Sequence, residues 1–461
     1  MTTPTKLMHA GAALAAALAL VAITAGAGLS APPGKFSRIA SVNGGTAPQF
    51  GLARTANGTL HLAWQTMPAL GSTWGLATLS ISSAGKVGPQ TQALGGWEAG
   101  IPGLTTLADG SLEAVFGAIS PKNLDSLWGI NSTDGGATWS APADVKGGGP
   151  AESLVYGADV TAVLAGQTPV LTLPQAGNLV VQQGLGAGMP NAQVNAAADG
   201  AVGGVNSAVD AATHEAYASW QSLNVSRDMI QPVAPSVGVP EAVPGPMKVA
   251  VPITGRDVGA GIFAAYAPDG THVRLLHYGG GSVAVGSVAG LPAKVLGVAT
   301  GPQGRIWVMW GDDDLGIAVT RSNMAATAFE PIQRFDPGAS TLWRLAGDGR
   351  LGPLDLIVAE TPAHGTTVPG AYYSRILPML TATFTTTPLK NKKGTVVAVV
   401  VKAHVTDAGD PVSAATVAIA GKTAKTNAQG AAKLTVAGAA GTVVATITKG
   451  GYQPLKLKVG L

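Results

Sequence analysis

A few short stretches carry side chains that could bind or convert a ligand. Trp97-Glu98, Arg256-Asp257, Lys294 and Trp343-Arg344 set aromatic rings and charges beside segments rich in glycine and alternating apolar residues. A Trp next to an acid suits stacking on the face of a sugar ring while the carboxylate takes its hydroxyls. The competing reading is that each Trp packs in a core and each charge is solvated. Asp312-Asp313-Asp314 offers three acids on one turn. Consecutive carboxylates cannot all converge on one calcium ion, so a solvated acidic turn is the expectation. The seven His are scattered without an H-x-x-x-H pair and Cys is absent, so no metal site and no thiol nucleophile are expected. The sequence has no G-x-S-x-G, no phosphate loop and no aromatic-basic ladder. No cofactor and no nucleic-acid partner are expected.

The most specific motif is Ser132-Thr133-Asp134-Gly135-Gly136-Ala137-Thr138-Trp139. Its spacing specifies a turn. The Asp can accept from backbone N–H groups of its own loop, the glycines supply unusual backbone angles, and the Trp can fold beneath the hairpin. Such a unit fastens two strands and performs no reaction.

The elements that must position these residues are strands. An apolar strand, an Asn/Asp-Gly turn and a second alternating strand ending on an aromatic recur along the chain. Residues 47–64 carry Asn57-Gly58, residues 100–116 carry Asp109-Gly110, and residues 294–310 carry Gln303-Gly304. Weaker copies lie at 160–182, 205–220, 261–278 and 342–358. The spacing of roughly 35 to 55 residues is the period of a four-stranded propeller blade. A composition of 11% charged residues with 64 Gly and 31 Pro fits short strands and tight turns rather than helical bundles. Residues 183–204, rich in Gly, Ala and Asn, and 231–247, with five Pro, read as long surface loops.

The motif at Ser132, Asp134, Gly136 and Trp139 resembles the Asp-box, or bacterial neuraminidase repeat, of sialidase-type β-propellers. A decayed copy runs from Val319 to Pro331, with Asn323 in place of the Asp. The resemblance implies a six- or seven-bladed β-propeller over residues 35–378. It also implies a test for catalysis, because family sialidases hold the substrate carboxylate with three arginines, the first in an R-I-P motif. Here Arg38-Ile39 is followed by Ala40, and Ile101-Pro102 is preceded by Gly100. Tyr372, Tyr373 and Glu215 could supply a Tyr–Glu pair, but their spacing does not demand it.

Past Thr385 the composition changes. All nine Trp lie earlier. The run Asp410-Pro411-Val412, then Thr426-Asn427-Ala428-Gln429-Gly430, then Gly451-Tyr452 resembles carboxypeptidase-regulatory-like and bacterial Ig-like domains. This implies a small β-sandwich over 385–461, serving as a spacer or adhesion module. Ten of the 28 basic residues and only Asp407 and Asp410 of the 25 acids fall after Leu380, so the tail carries +8 and the body −5. Such a tail suits an anionic surface such as a cell-wall polymer.

At the other end, Lys6 and His9 precede an Ala-rich apolar run to Ala27, with Ala25-Gly26-Ala27 as a cleavage pattern and Ala31 as an alternative. Residues 1–31 are expected to be a secretory signal peptide, an uncleaved anchor being the alternative. No later stretch is apolar enough to span a membrane. The chain is thus expected to be an exported, secreted or cell-surface all-β protein. Its propeller would recognise a glycan or other surface polymer at an axial face formed by Trp97, Glu98, Arg256, Asp257, Lys294, Trp343 and Arg344. The alternatives are a diverged glycoside hydrolase and a structural spacer.

Overall fold

A computed structural model describes residues 34–41, 50–66, 75–122, 125–146, 160–175, 177–186, 191–193, 202–222, 226–245, 251–362, 369–438 and 441–461. The segment expected to be a signal peptide lies outside them. Among the described residues the secondary structure is β-strand apart from one short 3-10 turn at Pro302–Gly304.

Seven antiparallel sheets follow one another between Ser37 and Ile376, most of them meanders in which consecutive strands pair; in the second, Glu98–Ala99 and Gly103–Thr106 both pair with Leu112–Ile119. The first sheet shows the pattern. Gly51–Arg54 pairs with Leu60–Thr66, then Gly75–Ile81, then Thr91–Leu94. The seventh sheet is built differently. Ala339–Asp348, Leu354–Pro362 and Gly370–Ile376 come from the end of this region, and the outer strand is Ser37–Ser41 from its beginning.

The period-2 alternation of each second strand explains why the sheets stack face to face. In Ile306–Asp312, the side chains of Ile306, Val308 and Trp310 pack toward the fifth sheet, while Trp307 and Met309 pack toward the seventh. In Leu60–Thr66, Leu60, Leu62 and Trp64 meet Ile357, Ala359 and Tyr373 of the seventh sheet. Seven apolar cores in turn join sheets one to two, two to three and onward to seven, and the last joins seven back to one. The sheets therefore form a closed ring. A guanidinium bridging two carboxylates reinforces the seam. Arg54 binds Asp348 at 2.6 Å and Asp355 at 2.7 Å, all three buried.

Second strands ending on a buried aromatic occur in five of the seven sheets, at Trp64, Phe116, Trp220, Tyr266 and Trp310, whereas Thr168–Gln175 and Leu354–Pro362 carry none. The copy at 261–278 is out of phase with the others. Its Asp269-Gly270 turn joins the second and third strands of the fifth sheet, whose first strand is Ile253–Gly255. The loop expectation for 231–247 also needs correction. Residues Gln231 to Ala234 continue the strand Arg227–Ala234 and pair with Ala216–Ser222. Pro232 is tolerated where the register is broken by a bulge. Likewise Asn191–Gln193, within the other expected loop, is the outer strand of the third sheet.

The tail holds two more sheets around one core of Val401, Val405, Val417, Ile419, Leu434 and Ile447, among others. Its first strand, Thr381–Lys390, takes in residues 381–384 that precede the expected boundary.

Candidate functional site

The first strand of each of the seven sheets contributes wall to one cavity of about 680 Å³. Strand direction gives it two ends. Phe50, Ile101, Val160 and Pro252 lie at the strand starts, Arg344 lies mid-strand, and Arg54, Thr106, His214, Arg256, Asp257 and Arg350 lie toward the strand ends. Between them the wall is backbone, small apolar side chains and hydroxyls, including Thr254 and Thr300 in contact at 2.8 Å.

Charge inside the cavity is mostly committed. Arg54 is held by its two aspartates. Arg344, from the seventh sheet, reaches across to Asn206 of the fourth, Nη2 donating to Oδ1 at 2.8 Å. Arg350 pairs with Asp348 at 3.3 Å. Asp257 accepts from the backbone N–H of Gln303 at 2.8 Å and of Gly304 at 2.6 Å, which fastens the fifth sheet to the turn of the sixth. Arg256 is different. Its guanidinium carbon lies 5.0 Å from the centroid of the Phe263 ring. Its Nε is buried without a hydrogen-bond partner. Burial lowers its pKa, while the nearby carboxylates of Asp210 and Asp257 oppose that shift. Asp210 does not bind it. Its oxygens accept from the backbone N–H groups of Gly261, Ala212 and Thr213.

Of the seven residues expected to share one face, Arg256, Asp257 and Arg344 line the cavity. Arg256 and Asp257 follow the end of their strand, while Arg344 lies in the middle of its own, four residues before Asp348, so they do not form one rim. The other four occupy separate places. Trp97 stands edge-on to Trp128 at 4.9 Å and packs against the core between the first and second sheets. Glu98 sits on the short strand Glu98–Ala99 opposite Ile119. Lys294 pairs with Asp313, whose other oxygen accepts from the Leu342 N–H at 2.7 Å. Asp313 is therefore a link between the sixth and seventh sheets rather than one acid of a solvated turn. Trp343 donates from Nε1 to Thr361 at 3.1 Å and leans on the core between the seventh and first sheets.

Of the residues considered for a sialidase-like centre, Arg38 is on the outermost strand of the seventh sheet, paired with Tyr372. Tyr373 is buried and donates to Asp355 at 2.8 Å. Glu215 accepts from Tyr217 at 3.0 Å. None of the four lines the cavity.

The turn at Ser132–Trp139 has the geometry its spacing requires. Asp134 accepts from the Thr138 N–H at 2.9 Å, from the Thr138 hydroxyl at 2.6 Å and from Ser132 at 2.9 Å, and these bonds hold its pKa down at about 2. Gly136, at φ +83°, donates to the Ser132 hydroxyl at 2.8 Å. Trp139 packs beneath, and its Nε1 donates to Thr78 of the first sheet at 3.2 Å. In the second copy Asn323 accepts from the Thr327 N–H at 2.9 Å, four residues on, as Asp134 does.

Sequence reasoning did not find a buried ionic cluster where the tail meets the body. Arg321 Nη2 binds Asp407 at 2.6 Å, and its guanidinium carbon is 5.3 Å from the Trp307 ring and 5.4 Å from that of Tyr452. Tyr452 donates to Asp407 at 2.8 Å, and Arg305 binds Asp410 at 2.6 Å. Beside it Glu330 is buried, which pushes its pKa up to about 8, and accepts from the Met379 N–H at 2.8 Å. The only signal in the sequence was that the tail has just two acids.

No protein-family profile and no curated protein matches the sequence. Among solved structures, the chain is similar to a protein of unknown function from Dyadobacter fermentans, at 13% identity over 75% of this chain and all of that one, with a TM-score of 0.44. It is similar to a Hadza microbial sialidase at 10% identity, covering 74% of this chain and 65% of that one, with a TM-score of 0.43. It is also similar to the fucose-recognising lectin of Aleuria aurantia, a six-bladed β-propeller, at 11% identity over 72% of this chain and 91% of that one, with a TM-score of 0.32.

Proposed function

We infer that the chain is an exported recognition protein, secreted or held at the cell surface, whose ring of sheets binds a glycan in its central cavity. In this reading the seven sheets are the blades of a sialidase-like propeller, the Ser132–Trp139 turn is an Asp-box, and the tail is a small Ig-like or regulatory-like sandwich. Residues 1–31 direct export. The observation that carries the reading is the state of the charges on the cavity wall. Both carboxylates there, Asp257 and Asp348, are already engaged by backbone N–H groups or by Arg54 and Arg350. Hydrolysis of a glycoside by the usual route needs two carboxyl groups free to act, one to give a proton and one to attack or activate water. Arg256, by contrast, is in no ion pair among the described residues and leaves its buried Nε without a partner beside a wall of threonines and backbone, so its charge is available to hold hydroxyl oxygens without cleaving bonds.

The test is binding of the purified chain to a broad polysaccharide panel, with reducing ends followed in parallel. We expect saturable binding without turnover. Replacing Arg256 by Gln should weaken it by roughly ten- to a hundredfold, the worth of a charge-assisted hydrogen bond or two. New reducing ends formed at a rate proportional to protein would replace this reading with the hydrolase. Unchanged affinity in Arg256→Gln would remove the cavity as the site.

A further inference from the structure

The destination of the tail's two acids determines its surface. Asp407 is fully buried against Arg321, Arg305 and Tyr452. Asp410 binds Arg305 and accepts from the Met324 N–H at 2.8 Å. Both carboxylates are spent on the body, so the tail shows solvent its lysines with no acid of its own to offset them.

Two of those lysines are opposed by the fold. In the strand Val396–Asp407 alternation turns Val399, Val401, Ala403 and Val405 into the core and leaves Lys402 and His404 exposed. In Ala431–Ala437, Leu434 and Val436 go in and Lys433 stays out. The register sets Lys402 directly across from Lys433 and, on its other side, across from Thr385. Like charges placed opposite each other on one face of a sheet repel. Neither ammonium has an ion-pair partner among the described residues. An anionic group lying between them removes the repulsion.

The rest of that face narrows the ligand. Thr383, Thr385 and Thr387 form an exposed row on the neighbouring strand. The tail's only two aromatic residues are turned away from it, Phe384 toward the core and Tyr452 toward Arg321. Apart from the single imidazole of His404, the face thus lacks rings to stack on successive bases or to enter a bilayer interface. The tail has no Arg after Leu380, hence no planar fork for bidentate phosphate. Point charges beside a row of hydroxyls fit carboxylates spaced along a hydroxyl-bearing chain. We propose that the outer face of this sheet is a second binding surface, separate from the cavity, that docks a linear acidic polysaccharide with its carboxylates between Lys402 and Lys433.

The experiment uses the full chain and polygalacturonate as probe, at low salt and at about 0.15 M, where exposed charges are screened beyond about 8 Å. Lys402→Gln/Lys433→Gln should bind at least about tenfold more weakly than wild type and melt at no lower temperature. Lys402→Arg/Lys433→Arg should retain binding, and Lys456→Gln/Lys458→Gln, on the other sheet, should stay within about twofold of wild type. The proposal is overturned by no binding of polygalacturonate, by unchanged binding in Lys402→Gln/Lys433→Gln, or by an equal loss in Lys456→Gln/Lys458→Gln. Parallel arms use anionic phospholipid vesicles and a phosphodiester polymer. If either replaces polygalacturonate as the ligand lost with Lys402 and Lys433, the polysaccharide assignment falls. Loss of polygalacturonate binding in Arg256→Gln alone would place that ligand in the cavity, sinking this proposal while leaving the cavity reading intact.

Discussion

Glu360 shows what one residue contributes. It is fully buried near the end of the strand Leu354–Pro362, and neither carboxyl oxygen has a hydrogen-bond partner. Burial, with Asp336 adding to it, pushes its pKa up to about 8. The folded state therefore binds its proton more tightly than the unfolded chain, so stability is greatest at low pH and falls as pH rises from about 4.5 toward 8. Glu113, raised by burial to about 6, contributes the same sign over a narrower window. Replacing Glu360 by Gln should leave stability at pH 5 nearly unchanged and raise it at pH 8 by roughly 2–4 kcal/mol, read from urea unfolding at both pH values. Gly129 makes a second prediction at this scale. A Cβ there would overlap the Glu113 carboxyl, so Gly129→Ala should destabilise by about 1–3 kcal/mol and Glu113→Ala should restore part of the loss, measured by a double-mutant cycle. These two sites were invisible in the sequence, whereas the Asp134 turn was legible. Every polar partner of Asp134 lies within four residues, while the burial of Glu360 is imposed by sheets distant in sequence.

At the scale of elements, the hairpin signals carried furthest where turn chemistry was strict. Asn57-Gly58 and Asp109-Gly110 each mark the turn between first and second strands, and both glycines have φ of +85°. The same type of signal at Asp269-Gly270 stands one strand later, because a dipeptide specifies a turn and not its place in a sheet. The strand Ser37–Ser41 could not be assigned from local pattern, since its partner, Gly370–Ile376, is more than 300 residues away. Its pairing predicts a specific weakness. A chain beginning after Ser41 leaves the strand Gly370–Ile376 as an open edge, with Ala371 and Tyr373 behind it in the core between the seventh and first sheets. Thermal unfolding of that truncation should begin several degrees lower, and light scattering should show edge-to-edge association absent from the full chain. Unchanged melting would mean the seam is held by Arg54 and the apolar core alone.

For the whole molecule, the tail is docked through groups that cannot be removed singly without cost. Asp407→Asn leaves Arg321 and part of Arg305 buried with a neutral partner and should cost about 3–5 kcal/mol. Calorimetry should then resolve an early transition for release of the tail that is merged with the main one in the wild type. Composition revealed the charge imbalance between tail and body but not its resolution, because which acids face which arginines depends on how the tail's sheets pack against the body. The closure of the ring has a further consequence, in the order of events during synthesis. Chain emerges from the ribosome at about 5–20 residues per second, so the partner of Ser37–Ser41 arrives tens of seconds after that strand is made. For that interval five residues are committed to a pairing they cannot yet make. Their composition suits the delay. Ser37, Arg38 and Ser41 leave only Ile39 and Ala40 apolar, so the waiting strand is a poor template for the sheets that finish before its own.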